Sequence, residues 1–135
     1  MALYEKMKKI ITEWKGGEYN LSHGNRMDDP SVYGIRDKIT IEGDDITMRL
    51  WDTDIVRYNK ATKALSLDTG GWRTKTTRER MNMYLSLLNL PYSVDGTYET
   101  RRTLAGTWHL INEETKAVFC IDYGYIDIVA KEGNK

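Results

Sequence analysis

The sequence predicts an α+β domain, with an N-terminal helix, a mainly antiparallel sheet and a second helix inserted between strands. Three observations carry that prediction. Apolar residues recur at helical spacing over residues 3–15. They recur at alternate positions through much of residues 35–67, and helical spacing returns over residues 77–88 before a last set of alternating segments. A chain of 135 residues has room for one well-buried core and no sequence-evident linker, so a single domain over 1–135 is expected.

In the first helix Leu3, Met7, Ile10, Ile11 and Trp14 share one face, and Gly16-Gly17 are expected to stop it. That stripe predicts docking on the core or on a partner subunit. Left uncovered by its own domain, it would predict a homo-oligomer. Residues 18–30, rich in Asn, Asp, Ser and Gly and closed by Pro30, predict a loop. Ile35, Ile39 and Ile41 then alternate with polar residues. Gly43-Asp44-Asp45 supplies a turn, and Ile46, Met48 and Leu50 alternate with Thr47, Arg49 and Trp51. Strands over 54–58 and 64–67 follow, separated by a turn at 59–62, and such short strands with short connections make an antiparallel meander. Met81, Tyr84, Leu85 and Leu88 form the core face of the second helix. Thr76 and Glu79 have capping-box spacing at its start, and Pro91 follows its end. Strands over 107–112, 117–122 and 125–130 complete the pattern, the first two joined by a turn at 112–115.

Composition narrows the function. Charged residues make up 30% of the chain but balance to a net charge of zero, which argues against a dedicated duplex-DNA binder. No apolar run approaches the roughly 18–20 residues of a membrane helix, and the N-terminus lacks a continuous signal-peptide core, so a cytoplasmic protein is expected. The single cysteine, Cys120, lies among apolar neighbours and is expected to be a buried thiol.

Residues 69–80 hold the most chemically suggestive cluster. Gly70 and Gly71 allow a sharp turn, and the helix start that follows exposes amide donors and a partial positive charge that favour an anion. Trp72 offers a stacking surface; Arg73, Thr74, Thr76 and Thr77 supply donors. This is an inventory for a phosphorylated nucleotide, although the P-loop order of residues is absent, so ATPase chemistry is not implied. The bland alternative is a capped helix with solvated arginines. Arg101 and Arg102 could form a second phosphate clamp or a solvated pair. Asn25 and Arg26 lie in a segment able to face a ligand, and Arg57 sits in a strand whose register decides its face. His23 and His109 are far apart in sequence, no Cys/His spacing supports zinc, and no nucleophile–base pair is visible. The reading is a binder rather than an enzyme, with no cofactor.

Gly71, Trp72, Thr74, Thr76, Thr77, Arg80, Met81 and Asn82, preceded by residues 50–58 and followed by Gly106-Thr107-Trp108-His109-Leu110, resemble a pattern in a group of small bacteriophage and prophage proteins. The resemblance covers roughly residues 46–127. It departs at Trp51-Asp52, where many relatives carry His-Gly. In site inventory and context the chain is also similar to anti-Thoeris sponges, phage proteins that bind cyclic ADP-ribose-type immune signals without cleaving them. That resemblance implies sequestration of a cyclic nucleotide signal in the infected bacterial host. The alternative is a protein- or nucleic-acid-interaction module that inhibits a host defence nuclease.

Overall fold

The computed structural model describes residues 2–26, 29–71, 73–97, 106–121 and 124–128. In chain order the elements are α1 (Leu3–Glu13), β1 (Gly17–Asn25), β2 (Tyr33–Glu42), β3 (Asp45–Leu50), β4 (Thr53–Asn59), β5 (Leu65–Asp68), α2 (Lys75–Leu87), β6 (Tyr92–Asp95), β7 (Trp108–Asn112), β8 (Val118–Ile121) and β9 (Tyr125–Ile128). One sheet runs β1-β2-β3-β4-β5-β9 and a smaller one runs β6-β7-β8. Every pairing among the described residues is antiparallel. The α+β class holds, with α2 between β5 and β6.

The period-two pattern decides which face of the large sheet is dry. Ile39, Ile41, Ile46, Met48, Val56, Tyr58, Leu65 and Leu67 point inward, and α2 covers them with Met81, Tyr84 and Leu85. On its other side α2 meets β6. Asn82 donates its side-chain amide to the Val94 carbonyl (3.1 Å) and accepts from the Val94 amide (2.7 Å). Trp108, Leu110 and Ile121 of the small sheet complete the core.

Helix α1 folds onto its own domain. Met7 is fully buried, and Leu3, Ile10, Ile11 and Trp14 pack against the core. The apolar stripe is thus docked on the chain's own core, with Met7 fully covered and its neighbours partly so. Trp14 itself takes the left-handed C-cap position (φ 49°) ahead of the two glycines, and its indole N–H donates to the Gly43 carbonyl at 2.7 Å. No helix among the described residues is long and apolar enough to cross a membrane.

The structure departs from the expected pattern at four points. Most of the segment expected to be a loop at 18–30 is strand β1, because its polar residues lie on a sheet edge where one side is open to water. Strand β6 was not evident in its short apolar pattern. Cys120 is exposed rather than buried, since alternation along β8 turns Val118 and Cys120 outward and buries Ile121. The helix cap also moves: α2 begins at Lys75, and the Thr77 amide donates to Thr74 Oγ1 at 3.3 Å. Glu79, freed from a capping box, lies 3.8 Å from Lys75 one turn back.

Candidate functional site

Strand bulges and a strained turn shape one end of the large sheet. Ser22 pairs with Asp37 and His23 with Ile35, which leaves Arg36 as an extra residue in β2. Beyond this bulge the side-chain parity reverses, so Ile35 faces outward although it continues the Ile39, Ile41 pattern. In β4 a second shift leaves Ile55 without a partner in β3, and Ile55 and Val56 are both buried in succession. The turn between β3 and β4 is the third irregular feature. Trp51 there adopts φ +54°, a left-handed conformation that glycine occupies at little cost and a bulky residue does not.

These features open a cavity of about 260 Å³ between the sheet end and the start of α2. Asn25 and Arg26 line it from β1 and the residue that follows, Arg36 from β2, and Trp51, Asp52 and Thr53 from the β3–β4 turn. Leu50 and Ile55 form apolar wall, while Thr69, Thr74, Thr76 and Thr77 supply hydroxyls from the β5–α2 connection and the first turn of α2.

Charge in the cavity is arranged unevenly. Arg26 forms an ion pair with Asp52, and its guanidinium carbon lies 5.6 Å from the Trp51 ring centroid. Arg36 holds its Nε near Ser22 Oγ (3.4 Å) and Asp37 Oδ2 (3.5 Å) and stays 39% exposed. Behind it lies the fully buried Asp37. That carboxylate accepts from Arg80 at 2.8 and 3.3 Å, from the Tyr84 hydroxyl at 2.9 Å and from Ser22 Oγ at 2.5 Å. Burial, then the Asp37 charge and hydrogen bond, push the Tyr84 hydroxyl well above its ordinary pKa, so it remains a donor. Burial pulls the Arg80 pKa down, but the bond to Asp37 and its charge outweigh it and raise the net value.

The structure gathers Asn25, Arg26, Thr74, Thr76 and Thr77 from the sequence-predicted set around one cavity. Arg73 does not line it; its Nη1 donates to the Gly106 carbonyl at 3.3 Å. Trp72, Arg101 and Arg102 lie outside the described residues. Arg36, Trp51, Asp52 and Thr53 were missed, while Thr69 opens the segment the sequence had singled out. The available signal was Trp51-Asp52, a bulky aromatic residue beside a turn-forming acid between two alternating segments. The Arg80-Met81-Asn82 triplet of the resemblance has a structural account, because it anchors α2 to Asp37, to the core and to β6.

Arg57 lies on the opposite face of the sheet, in register with Thr47 and Ser66. It donates to Asp54 at 2.9 Å, as Arg49 does. Burial raises the Asp54 pKa, yet the two arginine hydrogen bonds outweigh it and hold the carboxyl below its ordinary value. A depressed folded-state pKa stabilises the protein above the unfolded value, near pH 4, and that contribution is lost as pH falls through the folded value. Asp54→Asn should therefore lower stability at neutral pH, with the difference from wild type shrinking on acidification. Urea midpoints between pH about 6 and about 2 check this.

Among the described residues no cluster of three or more His, Cys, Asp or Glu side chains could hold a metal ion. The fold and cavity thus define an α+β protein with a small, cation-lined pocket. No protein family, curated protein or solved structure matches the chain.

Proposed function

We propose that this chain is a non-enzymatic binder that sequesters a cyclic nucleotide signal, serving a bacteriophage against the immune response of its host. The observation that carries the reading is the convergence of Arg26, Arg36, Trp51 and the threonine-rich start of α2 on one cavity. A nucleotide needs an anion site and an aromatic surface. Arg36 and the threonine hydroxyls supply the first, and Trp51 supplies the second. The first-turn amides of α2 add a partial positive charge. Trp51 thus takes the stacking role that the sequence had suggested for Trp72.

Binding rather than turnover is supported by the lining. Its described residues include no histidine or cysteine, and the carboxylate of Asp52 is engaged by Arg26. A concave cavity also favours a small molecule over a host-protein surface. Its volume sits just below the roughly 300–1,000 Å³ usual for ligand pockets, which suits a compact ligand or one half of a larger ring.

Calorimetric titration with cyclic ADP-ribose isomers, cyclic mononucleotides and cyclic oligonucleotides tests the reading. Arg36→Ala should weaken binding by about 1.5–3 kcal/mol, the range of a hydrogen bond to a charged group. Mass spectrometry of the heat-released ligand should return it unchanged. Failure of every such ligand to bind, or recovery of a cleaved product, would overturn the proposal.

A further inference from the structure

Arg36 and Trp51, assigned above to the anion and the base, are tied to each other and to strand β1. The bulge that leaves Arg36 as an extra residue in β2 sets its backbone against the β3–β4 turn, where the Trp51 amide donates to the Arg36 carbonyl at 2.8 Å. Bulges commonly re-aim a side chain beside a functional site. Ser22 of β1 then holds that side chain. Its hydroxyl accepts from Arg36 Nε at 3.4 Å and from the Asp37 amide at 3.2 Å, and it donates to Asp37 Oδ2 at 2.5 Å. One proton and two lone pairs are all that a hydroxyl has, so Ser22 is fully used in this junction.

Further along β1, Gly24 lies against both side chains. A methyl group there would sit 3.7 Å from Arg36 Nη1, 4.0 Å from Arg36 Cζ and 4.0 Å from Trp51 Cη2, which are ordinary van der Waals distances. A methyl is therefore accommodated, whereas a larger side chain would meet the guanidinium and the indole at once. Neither Ser22 nor Gly24 is among the described lining residues of the cavity.

From this junction we infer that Ser22 and Gly24 are positioning residues for the nucleotide site, holding Arg36 and Trp51 as one preorganised pair without touching the ligand. The inference rests on the function proposed above and adds how the same site is held ready. Tethering at Nε directs an arginine's contact with a phosphate to its two terminal nitrogens, a fork that suits two oxygens of one group. A side chain ordered before binding loses little rotamer freedom when the ligand arrives, a difference of about two- to tenfold in affinity.

The test is calorimetry on the full chain, with 3′,5′-cyclic AMP, 3′,5′-cyclic GMP and cyclic ADP-ribose as probes, each variant titrated below its measured melting temperature. For any probe that binds wild type, Ser22→Ala should weaken binding about three- to tenfold. In an Arg36→Ala background the same change should cost less than about twofold, because a positioning residue then has nothing to position. Gly24→Ala should bind within about twofold of wild type, and Gly24→Leu should lose more than about tenfold. NMR relaxation at Arg36 Nε gives a readout that needs no ligand: ordered in wild type and mobile in Ser22→Ala. An Arg36 Nε already mobile in wild type would overturn the positioning inference and leave a nucleotide binder standing. A Ser22→Ala loss that persists in full without Arg36, or equal binding by Gly24→Leu and wild type, would do the same. If none of the probes binds wild type, both readings fall.

Discussion

Replacing Asp37 with alanine is expected to destabilise the protein by about 3–5 kcal/mol, the cost of leaving the partner of a buried ion pair uncompensated. Asp37 is fully buried and joins three elements: its own strand β2, Ser22 of β1, and Arg80 and Tyr84 of α2. Without the carboxylate, the Arg80 guanidinium keeps its charge with no acceptor, and the Tyr84 hydroxyl is buried without a partner. Arg80→Met should also be costly, because it strands Asp37. The double replacement Asp37→Leu with Arg80→Met should cost clearly less than Asp37→Leu and Arg80→Met added, since an apolar pair needs no compensation. Denaturant midpoints of the four proteins measure the coupling. Additive costs would show that Asp37 and Arg80 act independently, against the geometry seen here.

Asp37 also marks where the sequence was more informative than its simplest pattern. It occupies the same parity as Ile39 and Ile41, so a strand facing the core at those positions must turn a carboxylate inward. Such a group demands a cation and hydroxyl partners, and Arg80 and Tyr84 lie four residues apart on the helix that covers the sheet. The α+β class, both helices and most strands were legible for the same reason: burial on one face imposes a period, and the period is visible in the residues. The cavity was only half legible. Threonines at a helix start and arginines near glycines are local signals, and Asn25, Arg26, Thr74, Thr76 and Thr77 were found that way. Arg36 and Ile55 reach the site through bulges, which depend on how two strands slide into register and leave no local trace. Arg73 and Arg57 were singled out in the same way but do not line this cavity. Both have the right chemistry, but the fold sends one to Gly106 and the other to the far face of the sheet.

Gly70→Ala is expected to be the most damaging small change at the cavity, costing on the order of 2–5 kcal/mol from left-handed strain and overpacking together. Gly70 opens the β5–α2 connection at φ +64°, and a methyl group there would lie 2.8 Å from Thr53 Cγ2 and closer still to Thr53 Oγ1. Thr53 starts β4 immediately after the Trp51-Asp52 turn, so the close approach of these two segments holds the aromatic wall against the threonine-rich start of α2. The two contributions can be separated. Thr53→Ala in the Gly70→Ala background removes both clashing atoms, leaving only its own Cβ at 3.1 Å and the backbone strain. It should recover the overpacking part, about 1–3 kcal/mol, while a residual cost of about 1–2 kcal/mol persists. Thermal unfolding of wild type, both single variants and the double variant checks the partition. If Thr53→Ala restores nothing, the connection is not seated on Thr53, and the cavity is not assembled by this contact.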